Sequence, residues 1–286
     1  MNNLSDINTI KRMLSHHGFT FSKGLGQNFI IDSEVCPKIS ESAELDENTA
    51  VIEIGAGIGV LTVELAKRAG KVLSFELDKR LLPILNETLD KLSNVEVINE
   101  DILKADLTKI LAEKCAGMRV VVAANLPYYI TSPVIMMFLE NKLEIDNITV
   151  MVQKEAAIRL CAPVGTREGG AVTVAVNYYA KAERLFSVPR TSFLPKPNVD
   201  SEVIKLLIRK TPAVTINDEK VFFKIVKGAF LQRRKTLKNS LFASLLIPKE
   251  KTGEALQLLR INEDIRPEKL TMEDFANLSN ILAVYL

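Results

Sequence analysis

The chain has 286 residues, of which 47% are hydrophobic and 25% charged. That composition excludes a disordered or fibrous protein and suits one large domain with one small one. The net charge is +2, but it is unevenly spread: from position 205 to the end, 15 Lys and Arg face 9 Asp and Glu, whereas the preceding residues carry an acidic excess, so an anionic partner or a solvated basic surface is expected for the tail. In chain order, residues 1–22 read as a basic, partly helical arm. "TAVIEIGAG" is an apolar run entering glycines, and "IGVLTVELAKRAG" follows with helical spacing, ending at Gly70. "KVLSFELD" reads as a second strand, "KRLLPILNETLDKL" as a helix, and "NVEVINEDIL" as a third strand with its loop. "MRVVVAANLPYYI" is a fourth strand, "SPVIMMFLEN" a helix and "NITVMVQKE" a fifth strand. "AVTVAVNYYA" fits helix and strand equally, and "DSEVIKLLIRK" reads as a strand. The alternation implies an α/β fold with a parallel, doubly wound sheet.

"TPAVTIND" reads as a linker, and a helical pattern follows it: "DEKVFFKIVKGAFLQRRK", "TLKNSLFASLL", "PKEKTGEALQLLRI" with Pro248 near a helix start, and "TMEDFANLSNILAVYL". Thr271 with Asp274 resembles a capping box. The boundaries expected are therefore an arm over 1–22, a ligand-binding α/β domain over 23–210 and a small all-helical domain over 211–286. No apolar run approaches the roughly 18 residues of a membrane helix, and the opening residues lack a charged-then-apolar signal pattern, so a cytoplasmic location is expected. Cys36, Cys115 and Cys161 are far apart and read as plain thiols. Only His16 and His17 could join them, so no metal site is expected.

In "EIGAGIG" the glycines are Gly55, Gly57 and Gly59, preceded by Glu53. They follow a strand and open a helix, which lets a ligand approach the backbone. A dinucleotide fingerprint would place its third small residue at position 60, where Val60 stands. The spacing instead resembles the turn of S-adenosylmethionine-dependent methyltransferases, whose cofactor has no pyrophosphate to cradle. Glu76 ends the second strand, where a carboxylate can accept from both hydroxyls of a ribose diol. In "NEDIL", the Asp101 carboxylate can accept from an adenine amine while the Ile102 backbone reads the ring edge. Taken singly, Glu76 also reads as a surface charge and Asp101 as a helix cap.

"ANLPYY" places Asn125, Leu126, Pro127 and Tyr128 at the end of the fourth strand, on the same edge. Such loops belong to methyltransferases acting on the adenine amino group. That amine is a poor nucleophile, because its lone pair is delocalised into the ring. The Asn125 side-chain oxygen and the Leu126 carbonyl can accept its two N–H bonds and favour a pyramidal nitrogen. Pro127 fixes φ and offers no competing donor, and Tyr128 offers a ring for an extruded base. Otherwise the segment is a strand-end turn with core tyrosines.

"KGLGQNFIID", "VIEIGAGIGVLT", "ELD", "EDIL", "ANLPYYITSP", "MVQKEAAIRL", "SFLPKPNVDSEV", "QRRKTLKNSL" and "IRPEKLTMEDFANLSN" follow one another in an order that resembles the KsgA family (also called RsmA), ribosomal RNA adenine dimethyltransferases of the small subunit. Ala56 stands where many members have proline. The resemblance implies a Rossmann-like domain that binds S-adenosyl-L-methionine, with Gln27, Asn28 and Ile30 at the cofactor's methionine end beside Gly55, Gly57, Glu76, Asp101, Ile102 and Asn125. From the residues alone, 27–30 is a polar loop before a helix capped by Asp32 or Ser33, with Pro37 in its first turn. The resemblance also sets Phe193 against the target base opposite Tyr128, although such a residue read alone is more often loop packing. It implies dimethylation of two adjacent adenosines in a hairpin near the 3′ end of 16S ribosomal RNA, within a partly assembled 30S particle late in biogenesis. A monomer is expected, with no membrane partner.

Arg233, Arg234, Lys235 and Lys238 form a cationic run suited to phosphate contact, with Lys220, Lys224 and Lys227 upstream at helical spacing. The other readings are a large-subunit adenine methyltransferase of the macrolide-resistance type, which shares the fold and a related N-I-P-Y loop, and a non-enzymatic assembly or nucleic-acid-binding factor. The "SFLPKPNVDSEV" segment points away from the first, and the intact set of acceptors away from the second.

Overall fold

The computed structural model describes residues 4–286 except 23, 25 and 233. Its elements in chain order are α1 (Ile7–His16), β1 (Phe29–Ile30), α2 (Val35–Ser42), β2 (Thr49–Ile54), α3 (Val60–Ala66), β3 (Lys71–Phe75), α4 (Leu82–Leu89), β4 (Val95–Ile98), α5 (Leu107–Lys114), β5 (Arg119–Asn125), α6 (Thr131–Glu140), β6 (Asn147–Gln153), α7 (Lys154–Leu160), α8 (Ala171–Tyr179), β7 (Ala180–Val188), β8 (Phe193–Leu194), β9 (Ser201–Ile208), α9 (Glu219–Phe230), α10 (Leu237–Leu245), α11 (Lys249–Leu258) and α12 (Met272–Leu282). The chain divides into two compact units, Met1–Ala157 with Glu183–Ile208, and Ile158–Ala182 with Arg209–Leu286.

The main sheet has seven strands in the order β4-β3-β2-β5-β6-β9-β7. Strands β2 to β6 pair in parallel, which the continuous apolar runs foretell, since a parallel strand is covered on both faces. Strand β9 departs from the all-parallel expectation and runs antiparallel to β6, from Asn147 opposite Leu207 to Gln153 opposite Ser201. The winding reverses between β2 and β5, and such a switch point opens a crevice beyond the strands' carboxyl ends. Every residue of β2 is buried, and a core of Val51, Val72, Val121, Met151 and Val203 packs with Ile39 and Cys36 of α2.

Helix α1 caps itself with Asp6, whose Oδ2 accepts from Thr9 N–H at 2.7 Å, and buries Ile10 and Leu14 in an apolar cluster with Phe29, Ile58 and Leu85. Helix α2 begins after Glu34, so neither Asp32 nor Ser33 is its cap. The two Asp32 carboxylate oxygens accept from Glu34 N–H and Ser192 Oγ, and Pro37 sits in the first turn, where its missing N–H is no loss. The ambiguous "AVTVAVNYYA" is helix α8, followed by a strand absent from the sequence reading, β7. In the second unit α9 buries Phe222, Ile225 and Val226 on one stripe, with Lys220, Lys224 and Lys227 exposed on the other. Gly228 lets α10 approach α9, since a Cβ there would stand 2.7 Å from Ser244 Oγ. The Thr271–Asp274 capping box forms, with Asp274 N–H to Thr271 Oγ1 at 3.1 Å and Thr271 N–H to Asp274 Oδ2 at 2.9 Å. No helix among the described residues is long and apolar enough to cross a membrane.

Candidate functional site

A cavity of about 320 Å³ opens at the carboxyl ends of β2, β3 and β5, and its wall brings together Gln27, Asn28, Ile30, Gly55, Gly57, Glu76, Asp101, Ile102, Asn125, Leu126, Pro127 and Tyr128. These residues come from five separate stretches of the chain: four follow β2, β3, β4 and β5, because parallel strands deliver their following loops to one edge, and the fifth is the N-terminal segment around β1.

The turn after β2 depends on glycine. Gly55, Gly57 and Gly59 have φ of +80°, +59° and +88°, a left-handed region that costs other residues about 1–2 kcal/mol. A Cβ on Gly57 would lie 3.3 Å from the Phe29 ring, and one on Gly55 3.8 Å from Pro127 Cδ. The bare backbone is therefore part of the wall. Gly57 N–H donates to Glu76 Oε2 at 2.9 Å, and Asp78 N–H donates to Glu76 Oε1 at 2.8 Å. Burial pushes the Glu76 carboxyl up from its ordinary range, against those two hydrogen bonds. Beneath the turn, Glu53 is fully buried. Its Oε2 accepts from Thr62 Oγ1 at 2.7 Å and Ser74 Oγ at 2.5 Å, while Oε1 has no partner among the described residues. Burial is the main reason its carboxyl is pushed up to about 7, with the Glu76 charge adding to it.

Asp101 serves as both wall and turn. Its Oδ1 accepts from Leu103 N–H at 3.1 Å, and Lys104 Nζ stands 3.8 Å from Oδ2. The wall's charged members are Glu76, Glu100 and Asp101, and no Lys or Arg is among the described residues that line it. An anionic pocket with no cation in its described wall suits a ligand with cationic centres and hydroxyl or amine donors, and disfavours a pyrophosphate. These residues fit S-adenosyl-L-methionine, which carries a sulfonium, an ammonium, a ribose diol and an adenine amine.

At the end of β5, Asn125 Nδ2 donates to the Asn28 carbonyl at 3.4 Å, while its Oδ1 and the Leu126 carbonyl accept no hydrogen bond among the described residues. Pro127, with φ −54°, leads into a short 3-10 turn over Tyr128–Ile130. The Tyr128 hydroxyl lies 2.8 Å from Ser201 Oγ on β9, and burial pushes its phenol up. Tyr129, unused in the sequence reading, also lines the cavity and is 54% exposed.

Residues 18–284 match the model of the family described as "Ribosomal RNA adenine dimethylase". The chain belongs to that family. It is a methyltransferase that uses S-adenosylmethionine and acts on ribosomal RNA. It is 48% identical over 276 residues, covering 95% of both chains, to ribosomal RNA small subunit methyltransferase A of Geobacillus sp. strain WCH70. It is 47% identical over 289 residues to the protein of that name from Bacillus mycoides strain KBAB4, covering 100% of this chain and 99% of the other. Among solved structures it resembles a dimethyladenosine transferase from Plasmodium falciparum (TM-score 0.72, 25% identity, 90% of this chain and 98% of that one) and the 23S rRNA methyltransferase ErmE (TM-score 0.67, 28% identity, 89% and 99%).

Two expected site residues of this dimethylase stand apart from their expected roles. Phe193 is 3% exposed and outside the cavity wall, because β8 pairs antiparallel with β1, setting Phe193 opposite Ile30, and the ring enters the core with Val35, Val188 and Val203. In this conformation it does not face a base opposite Tyr128. Lys238 is half-buried and its Nζ pairs with Glu263 Oε2 at 2.8 Å, a hydrogen-bonded pairing that raises the Lys238 ammonium and lowers the Glu263 carboxyl. Its charge is compensated, whereas Arg234 and Lys235 are exposed; Arg233 lies outside the described residues. The sequence reading also passed over Asp78 and Arg80, which bind the cavity's N-terminal wall. The acidic residue two places beyond Glu76 in "ELDKR" was the available signal.

Proposed function

We propose that this dimethylase converts two adjacent adenosines, in a hairpin near the 3′ end of 16S ribosomal RNA, to their 6-dimethylamino forms within a partly assembled 30S particle, as a cytoplasmic monomer. The observation that carries the reading is the sharing of one anionic cavity by the glycine turn, Glu76, Asp101 and the Asn125–Tyr128 loop. The small-subunit target follows the name of the curated relatives, which align over nearly all of this chain.

Glu76 accepts from the ribose hydroxyls and Asp101 from the adenine amine of the cofactor, with the Ile102 backbone at the ring edge. Gln27, Asn28 and Ile30 border its methionine end, and Gly55 and Gly57 present backbone to it. The bound cofactor supplies an electrophilic methyl group on sulfur. The protein's contribution is to place the target nitrogen. Asn125 Oδ1 and the Leu126 carbonyl, both unengaged among the described residues, accept the two N–H bonds of the adenine amine and turn its lone pair toward the cavity. Pro127 offers no donor that would compete. Tyr128 stacks on the extruded base, its hydroxyl held by Ser201, and such stacking is worth about 1–3 kcal/mol per base. No strong base is required, because the alkylated amine loses its proton readily. The helical C-terminal region, through Arg234 and Lys235 and the exposed Lys220 and Lys224 of α9, contacts RNA phosphates.

The test is methyl transfer from labelled cofactor to separated, unmethylated ribosomal subunits, with product nucleosides identified by mass. Dimethyladenosine from small-subunit particles supports the assignment, and label confined to large-subunit RNA refutes it.

A further inference from the structure

The N-terminal wall of the cavity is held by groups that the proposed chemistry does not use. The Gln27 carboxamide is gripped at both ends: Oε1 accepts from Ser22 N–H at 2.9 Å, and Nε2 donates to Asp78 Oδ2 at 2.7 Å. Asp78 is buried just past β3 and is forked by Arg80, Nε to Oδ1 at 2.8 Å and Nη2 to Oδ2 at 2.6 Å. The remaining guanidinium nitrogen donates to the Thr20 carbonyl at 3.3 Å, and Arg80 Cζ lies 5.1 Å over the Phe19 ring. Asp78 N–H donates in turn to Glu76 Oε1. One chain of hydrogen bonds therefore joins Glu76, Asp78 and Gln27, and Arg80 carries it on to Thr20.

An exposed ion pair two residues apart contributes little. This one is bidentate, its carboxylate is buried, and it bridges two distant parts of the chain, the geometry in which charge-assisted bonds are strong. The pairing also fixes an orientation. A carboxylate only accepts, so Gln27 must turn its NH₂ toward Asp78, leaving one N–H of that group and one lone pair of Oε1 for a ligand.

We propose that Asp78 and Arg80 are positioning residues for the cofactor: they fix the Gln27 carboxamide and tie residues 19–22 to the end of β3, so that Gln27 and Asn28 stand in the wall before the cofactor arrives. The proposal rests on reading this cavity as the cofactor's. Ordering the wall in advance lowers the entropy lost on binding, so it acts on affinity and not on the transfer step.

The experiment is calorimetric binding of S-adenosyl-L-methionine to the cofactor-free full chain, beside steady-state kinetics. Arg80→Met, whose native side chain is about half exposed, and Asp78→Ala should each weaken cofactor binding by roughly tenfold, the scale of one charge-assisted hydrogen bond. The cofactor KM should rise in parallel while kcat at saturating cofactor is retained. Arg80→Lys keeps the charge but loses the fork, and should weaken binding as well. If Asp78 acts through Gln27, the pair Asp78→Ala/Gln27→Ala binds no more weakly than the worse single variant. In the cofactor-free protein, amide exchange at residues 19–22 should quicken in Arg80→Met. Affinities of Arg80→Met and Asp78→Ala within twofold of wild type, or effects of Asp78→Ala and Gln27→Ala that simply add, overturn the proposal while leaving the cavity assignment standing. Wild-type affinity in Glu76→Ala overturns the cavity assignment itself. Should Asp78→Ala fail to fold, Arg80→Met still decides.

Discussion

Gly57→Ala probes how far the cofactor turn depends on bare backbone. Gly57 has φ +59°, and moving an alanine into that region costs about 1–2 kcal/mol. The new Cβ would also stand 3.3 and 3.4 Å from two Phe29 ring carbons. That ring has little room to retreat, because it is buried against Phe19 and Phe21 at centroid distances of 6.1 and 5.3 Å. With the crowding, the total is about 2 kcal/mol, or a fall in Tm of roughly 4–8 °C for a protein of this size. Gly57 N–H also holds Glu76 Oε2, so the strain reaches the proposed ribose acceptor, and cofactor affinity should fall with stability. Gly117→Ala is the matched control: its φ is +78° and no atom lies within 4 Å of the added Cβ, so it carries the backbone cost alone. Scanning calorimetry of both variants without cofactor, followed by titration with cofactor, separates the two contributions. If Gly57→Ala loses no more stability than Gly117→Ala and binds cofactor like wild type, packing against Phe29 does not shape the turn.

Two further outcomes follow from the same structure. Burial raises the Glu53 carboxyl to about 7 from an ordinary value of 4.5, so between those values the folded state holds more protons than the unfolded one, and the Glu53 contribution to stability falls as pH rises from about 4.5 through 7, by an amount on the order of 3 kcal/mol. Glu53→Gln should flatten that part of the pH–Tm profile, and an unchanged slope contradicts the assignment. Arg234→Glu with Lys235→Glu should weaken binding to small-subunit particles and lower the salt dependence by about two phosphate contacts, with cofactor affinity unchanged. A parallel drop in cofactor affinity argues against separate RNA and cofactor surfaces.

The sequence was most readable where strand and loop chemistry coincide. "EIGAG", "ELD", "EDIL" and "ANLPY" each follow an apolar run, and in a parallel sheet every such loop falls on one edge, so that part of the cavity wall was legible before any coordinates, whereas Gln27, Asn28 and Ile30 were placed there only by resemblance. Partners distant in sequence were not legible. Asp78 and Arg80 were given no role, because nothing in "ELDKR" says that Gln27 and Thr20, more than 50 residues earlier, will meet them. Lys238 read as a free cation because Glu263, 25 positions on, supplies its counter-charge only in the fold. The resemblance set Phe193 against the target base, and a two-residue strand pairing with β1 turned it inward. The antiparallel β9 escaped notice because a strand buried on both faces has the same apolar run in either direction.

The most direct test of the central claim exchanges the Asn125 amide for a hydrocarbon of like size. Asn125→Leu, shown by calorimetry to retain the fold and to bind cofactor, would be assayed for methyl transfer to unmethylated small-subunit particles. Loss of an oriented acceptor at the reacting nitrogen should lower the rate by about 10²–10³, the scale for removing one electrostatic contact in an active site. Dimethyladenosine formed at the wild-type rate would contradict the account.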